Sequence, residues 1–377
     1  MTNEVYINAT SAFLPFEPVS NDEIESVLGM IGGKPSRARR IILRSNGITS
    51  RHYAIDRATG KVAMNNAQLT AQAIRGLPID GHVDILSTGT STPDQLTPNH
   101  SVMVHGELGW PRLEAVSAAG ICLAGTVALK HAWLAIKSGD AQRAVVAASE
   151  LLSPQLMAKH FEAENEHKVA ALEDKLEIAF EKDFLRWMLS DGAGALLLEN
   201  QPKGDLSLKI EWIDLSSAAH ELPTCMYSGA DKTDDQVLHG WREYDAEQLS
   251  AQSIFAIKQD VRLLNENVVR ATVSEPLAII MQKRGLTVDG IDWFLPHISS
   301  CYFAEPLVEG LKVIGLEIPR ERWFTNLTTR GNMGAASPFV MLHELFQSGK
   351  IVKGQKILMY IPESGRFSTG FVYLEAV

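Results

Sequence analysis

The sequence predicts an α/β protein of alternating strands and helices, on three observations. Short apolar runs alternate with amphipathic stretches at helical spacing along the whole chain. The 377 residues suffice for two domains or one duplicated unit. A composition shift at Asn200-Gln-Pro-Lys-Gly-Asp205 divides the chain into halves of similar size, 1–200 and 201–377.

In order, Val5-Tyr-Ile-Asn-Ala-Thr10 reads as an opening strand. A helix follows from Asn21, which is placed to cap it. Asn66-Ala-Gln-Leu-Thr-Ala-Gln-Ala-Ile-Arg75 reads as a helix leading into the strand Val83-Asp-Ile-Leu-Ser87. A nearly uncharged helical stretch, Cys122 to Gly139, precedes the buried strand Arg143-Ala-Val-Val-Ala-Ala148. Residues 154–188 are charged and amphipathic and read as a helical surface insertion before the strand Gly194-Ala-Leu-Leu-Leu-Glu199. The strand–helix rhythm restarts at Leu206 and closes with Ile357-Leu-Met-Tyr-Ile-Pro362 and Gly370-Phe-Val-Tyr-Leu-Glu375.

Composition excludes several classes. No apolar run approaches the roughly 20 residues that span a bilayer, and the start lacks the pattern of a signal peptide. Three cysteines without paired spacing argue against a disulfide framework and a zinc site, so a cytoplasmic protein without a metal is expected. The net charge of −10 argues against nucleic-acid binding. The densest basic run, Lys34 to Arg44, carries Arg37, Arg40 and Arg44. It is either a solvated helix face or a docking surface for a pantetheine phosphate or an acidic carrier protein. Neither a P-loop, a placed Gly-x-Gly-x-x-Gly nor a Gly-x-Ser-x-Gly occurs, so no nucleotide cofactor and no serine-hydrolase chemistry is expected.

Cys122 is the first candidate for chemistry. At the start of a helix, a thiol faces unpaired N–H groups and the positive dipole end, both of which favour the thiolate. His297, delivered to a strand end by Asp292-Trp-Phe-Leu-Pro296, is a candidate proton handler or a structural hydrogen bonder. Asn332, within Thr329-Arg-Gly-Asn332-Met-Gly-Ala-Ala-Ser337, is either an amide donor at a pocket or an ordinary loop-to-helix cap.

Together these motifs resemble the thiolase superfamily, and within it the ketoacyl synthase III-like condensing enzymes. Cys122-Leu-Ala-Gly-Thr resembles the nucleophile helix, with its glycine one residue late. Asp191-Gly-Ala-Gly-Ala195 and Gly331-Asn332-Met-Gly-Ala-Ala-Ser337 match two further segments. Pro296-His297 matches a third, with Ile298 where the family has glutamine. Glu363-Ser-Gly365 corresponds to the closing glycine-rich turn, with two glycines changed. The resemblance implies a homodimeric, five-layered αβαβα thiolase-like fold built from two duplicated halves. It also implies that Cys122 accepts an acyl group from a carrier-protein or coenzyme A thioester. His297 and Asn332 would stabilise one oxyanion, and the N–H groups of Cys122 and Gly365 the other. A plain ketoacyl synthase III that starts fatty-acid chains is the neighbouring alternative. A non-catalytic ketosynthase-like subunit is the alternative of a different class.

The segments at Ser20–Glu25, Gly33–Arg39, Ile48–Tyr53 and Thr88–Leu96 are similar to ketosynthases that make dialkylresorcinols and stilbenes. That likeness implies joining a β-ketoacyl thioester to a second, often α,β-unsaturated, thioester and closing a cyclohexanedione ring. Thr97 falls where the wider family often has a phenylalanine that crosses the dimer into the partner's acyl pocket. Glu107, ten residues on, is a candidate general base. Cys301 reads as a pocket residue or an apolar filler.

Overall fold

The computed structural model describes residues 3–36, 38–161, 184–233 and 235–377. Nine strands form the main sheet: β1 (Tyr6–Phe13), β2 (Ile85–Thr90), β3 (Glu114–Ala119), β4 (Arg143–Glu150), β5 (Gly192–Glu199), β6 (Leu208–Ser217), β7 (Trp293–Pro296), β8 (Lys356–Glu363) and β9 (Ser368–Ala376). Their order is β7-β8-β9-β6-β1-β5-β4-β2-β3. From β1 outward the pairings through β5, β4 and β2 run antiparallel, antiparallel, parallel. From β6 outward through β9, β8 and β7 they run the same way. The two groups meet only at Tyr6 and Ile7 against Lys209 and Leu208.

The principal helices are α1 (Arg39–Asn46), α2 (Asn66–Arg75), α3 (His100–Leu108), α4 (Ala124–Ser138), α5 (Val261–Val269), α6 (Glu275–Arg284), α7 (Ala304–Val313) and α8 (Ser337–Gln347). Alternation along the strands explains their place. Val145 and Leu197 face an outer core with Leu69, Ile74 and Val104 of α2 and α3. Their neighbours Val146 and Leu196 face a central core with Leu129 of α4 and Phe339 of α8, which also takes Met359 and Val372. Leu358 and Phe371 face a third core with Leu264, Leu277 and Leu307 of α5, α6 and α7. Strands covered on both faces are apolar at successive positions, which is why they read as continuous runs. The result is five layers, αβαβα, with α4 and α8 in the middle. Gly125 lets α4 pack closely on strand β4 and on the turn before α8: a Cβ there would lie 2.7 Å from Ala148 Cβ and 3.0 Å from the Ala335 carbonyl oxygen.

Two local expectations are corrected. Asn21 does not cap a helix: that helix is Ile24–Leu28, while the Asn21 amide donates to the Ile48 carbonyl and accepts from Arg51. Arg51 is fully buried and also donates to the Trp187 carbonyl, so competition for a tertiary partner removes the cap. The expected insertion is narrower than 154–188. Residues 184–188 are buried, with Trp187 inaccessible, because they pack into the third core. Residues 162–183 lie outside the described residues.

Candidate active site

Cys122 occupies the turn between β3 and α4, two residues before the first helical residue, Ala124, and is 8% exposed. The β7 strand ends at Pro296 and delivers His297, whose backbone N–H donates to the Tyr360 carbonyl at 2.8 Å on β8. Its Nε2 is buried without a hydrogen-bond partner, and burial pushes the imidazole down to about 4. His297 is therefore neutral at pH 7, and an Nε2–H would be free to donate to a developing oxyanion.

Asn332 is held by its backbone. Its N–H donates to Met188 and its carbonyl accepts from Ser190. Its Oδ1 accepts from the Gly334 N–H at 2.9 Å, so Nδ2 is the amide atom left for a ligand. Gly365 abuts the Cys122 turn, since a Cβ there would lie 2.9 Å from Ile121 Cδ1. Its carbonyl accepts from Cys225 and Met226, which fixes the turn.

Two cavities meet at Cys122, Ser299 and Ser364. One, of about 490 Å³, is apolar: Leu264, Val268, Val269, Val273, Phe303 and Leu307 line it, with His297 at the cysteine end. The other, of about 1160 Å³, is wider and more polar, and includes Asn332, Gln259, Thr224 and Ser91.

The expected thiolate is not favoured here. The Glu363 carboxylate accepts from the N–H groups of Ile121 at 2.8 Å and Leu123 at 3.2 Å, the donors flanking Cys122. Burial raises the Cys122 thiol well above its usual range, and the charges of Glu363 and Glu150 raise it further. Glu150 is inaccessible, bonded to Ser91, Thr92 and Ala335, and burial brings its carboxyl to about 7. Removing the nearer charge should release the thiol. Glu363→Gln keeps an acceptor oxygen for both N–H groups. It should lower the pH midpoint of Cys122 alkylation by on the order of one unit, read by iodoacetamide rates across pH. An unmoved midpoint in a folded variant would exclude this role.

The other expected residues lie apart. Glu107, near the C-terminal end of α3, lines neither cavity of its own chain, and its carbonyl accepts from Arg75. Helix α3 packs on the outer face of the sheet, away from the layer that carries Cys122. The carboxylate beside Cys122 is Glu363, whose only signal in the sequence is its departure from the glycine-rich closing turn. Thr97 is exposed on the loop before α3. Arg40 and Arg44 are exposed on α1, and Arg37 lies outside the described residues. Cys301 lines neither cavity and packs beside Gly47. No cluster of metal-ligating side chains occurs among the described residues, and none of their helices is long and apolar enough to cross a membrane.

Residues 281–373 match the 3-oxoacyl-[acyl-carrier-protein] synthase III C-terminal family. The sequence is 25% identical over 320 residues to the β-ketoacyl-[acyl-carrier-protein] synthase III of Clostridium perfringens, covering 83% of each chain. It is 24% identical over 362 residues to that of Xanthomonas campestris pv. campestris, covering 95% of each. Among solved structures, AbyA1, a tetronic acid condensing enzyme, superposes with a TM-score of 0.76 at 19% identity, over 98% of this chain and 99% of that one. OleA of Xanthomonas campestris does so at 0.72 and 18%, over 99% and 98%. The 3-oxoacyl-[acyl-carrier-protein] synthase III of Aquifex aeolicus does so at 0.69 and 21%, over 98% and 99%. These likenesses give the chain a thiolase-type fold.

Proposed function

Starting from a thiolase-fold chain similar to the ketoacyl synthase III-like condensing enzymes, we propose that it forms carbon–carbon bonds between acyl thioesters through Cys122. One observation carries the reading: two cavities open onto the same cysteine, one apolar and one wide and partly polar. The apolar cavity suits the hydrocarbon chain of one substrate. The wide one suits the second thioester and its pantetheine arm. Cys122 takes the first acyl group and the carrier thiol leaves with the cysteine proton. A carbon of one acyl group, having given up a proton or carbon dioxide, then attacks the thioester carbonyl of the other, whose sulfur leaves as a thiol with a proton. The two charges that develop are met by separate donors: His297 and Asn332 at one oxygen, the N–H groups of Cys122 and Gly365 at the other.

The specific reading is ring-forming. A β-ketoacyl thioester joins a second, α,β-unsaturated thioester. C2 of the β-ketoacyl group adds to the enoyl β-carbon, and C4 of the same group, after losing a proton, attacks the enoyl thioester carbonyl, whose carrier thiol leaves. Water then releases the β-ketoacyl carbonyl from sulfur as a carboxylate, giving a carboxylated cyclohexanedione, the precursor of a dialkylresorcinol. The thioester partner is an acyl carrier protein or coenzyme A, with the exposed Arg40 and Arg44 as the docking side. A cytoplasmic homodimer is part of this reading. Among the described residues strand β3 ends the sheet with an unpaired edge, and the neighbouring helices expose Val102, Val127 and Leu134. Thr97 would reach the partner from the adjoining loop, and light scattering should return twice the 41.4 kDa chain mass.

The test incubates the protein with a β-ketoacyl and an enoyl thioester and analyses the products by mass spectrometry. A cyclised product free of both carriers is expected. A linear β-ketoacyl carrier product instead would favour the ketoacyl synthase III alternative, in line with the names of its curated relatives. Failure of any acyl thioester to label the protein would favour a non-catalytic subunit.

A further inference from the structure

Gln259 stands on the short strand Lys258–Gln259, which pairs with Met226–Tyr227 beside the wide cavity. It is 8% exposed, yet its Oε1 has no hydrogen-bond partner among the described residues. Its Nε2 donates to Ser364 Oγ at 3.2 Å. The Ser364 hydroxyl in turn reaches the Met226 thioether sulfur at 3.3 Å, a weak acceptor. Turning the amide over would give the serine proton a strong acceptor in Oε1, but Nε2 would then be the unpaired atom. In either orientation the pair keeps one donor without a strong acceptor. Gln259 is buried and Ser364 half-buried against the cavities, so the unmet group is placed for a partner that enters them.

The place of Ser364 says what that partner is. Ser364 borders both cavities, as Cys122 does, and precedes Gly365 in the turn packed on Ile121. The carbonyl of an acyl group on Cys122 has its own donors in the proposed reading, the N–H groups of Cys122 and Gly365. An additional donor one residue away suits an additional oxygen, close to the first along the acyl chain. A saturated or enoyl chain offers none. A β-ketoacyl chain has a carbonyl oxygen two carbons further on.

We infer that Ser364, oriented by Gln259, donates a hydrogen bond to the β-keto oxygen of the acyl group at Cys122 and selects β-ketoacyl thioesters over plain ones. This inference rests on the acyl-transfer reading and names the substrate that loads Cys122. Sites built to hydrogen-bond an oxygen reject analogues that lack it, because their own buried polar groups are then left unpaired.

The experiment compares 3-ketoacyl and saturated acyl N-acetylcysteamine thioesters of equal chain length, following Cys122 acylation by intact-protein mass spectrometry. The wild type should show a higher kcat/KM for the 3-ketoacyl compound. Ser364→Ala should lower the ratio of the two kcat/KM values by about 10- to 100-fold. Gln259→Met should lower it in the same direction by less, and Ser364→Thr, which retains the hydroxyl, should keep most of it. An unchanged ratio in Ser364→Ala, with Cys122 still acylated, overturns this inference alone. No acylation of the wild type by either compound overturns the acyl-transfer reading and this inference with it.

Discussion

Replacing Cys122 by alanine should abolish acyl-enzyme formation from labelled thioesters, with turnover falling by at least about four orders of magnitude. The loss should be that large because neither other cysteine can take its place. Cys225 is inaccessible, lines neither cavity and contacts the Asp260 carbonyl. Cys301 lines neither cavity. Cys225→Ala and Cys301→Ala should therefore retain labelling. The fold should survive the Cys122 change, since a thiol and a methyl differ little in volume and the loss is on the order of 1 kcal/mol. Circular dichroism and peptide mapping of the labelled adduct check both parts. Label persisting on the Cys122→Ala protein at the wild-type level would remove Cys122 from the mechanism.

The strands of the fold were legible because packing on both faces leaves a pattern in the chain itself. The runs at 143–148, 194–199 and 357–362 fall inside β4, β5 and β8. His297 was legible for a related reason, as four apolar strand residues end beside it. Side chains whose partners lie far along the chain were harder to read. The bonds of Glu363 span about 240 residues, and no local spacing announces them. Replacement of a glycine in the closing turn was the available signal. The basic run is mixed: Arg39 is engaged by Asp22 and Glu25, while Arg40 and Arg44 are exposed. Counting charges along the chain does not reveal which are already paired. Glu107 was named for its place on the segment of Thr97, and in its own chain helix α3 lies on the outer face of the sheet.

Asp191→Ala should cost on the order of 4 kcal/mol of stability, because its inaccessible carboxylate ties three separated segments together. One oxygen accepts from the N–H groups of Leu152 at 2.6 Å and Ser153 at 2.8 Å. The other accepts from Ala54 at 2.7 Å and the Ser153 hydroxyl at 2.5 Å. Truncation strands three buried backbone donors, each worth about 1–3 kcal/mol when unpaired, with partial relief from local relaxation. Asp191→Asn should lose roughly half as much, since one acceptor oxygen remains while an NH₂ group faces a backbone N–H. The damage should also reach the site. The adjoining Ser190 N–H donates to the Asn332 carbonyl, and Leu189 bridges Asn332, so loosening this strap shifts the amide that faces the wide cavity. Urea denaturation read by tryptophan fluorescence measures the stability change. A loss below about 1 kcal/mol in Asp191→Ala would mean that the stranded donors find other partners, and that this carboxylate does not hold Asn332 in place.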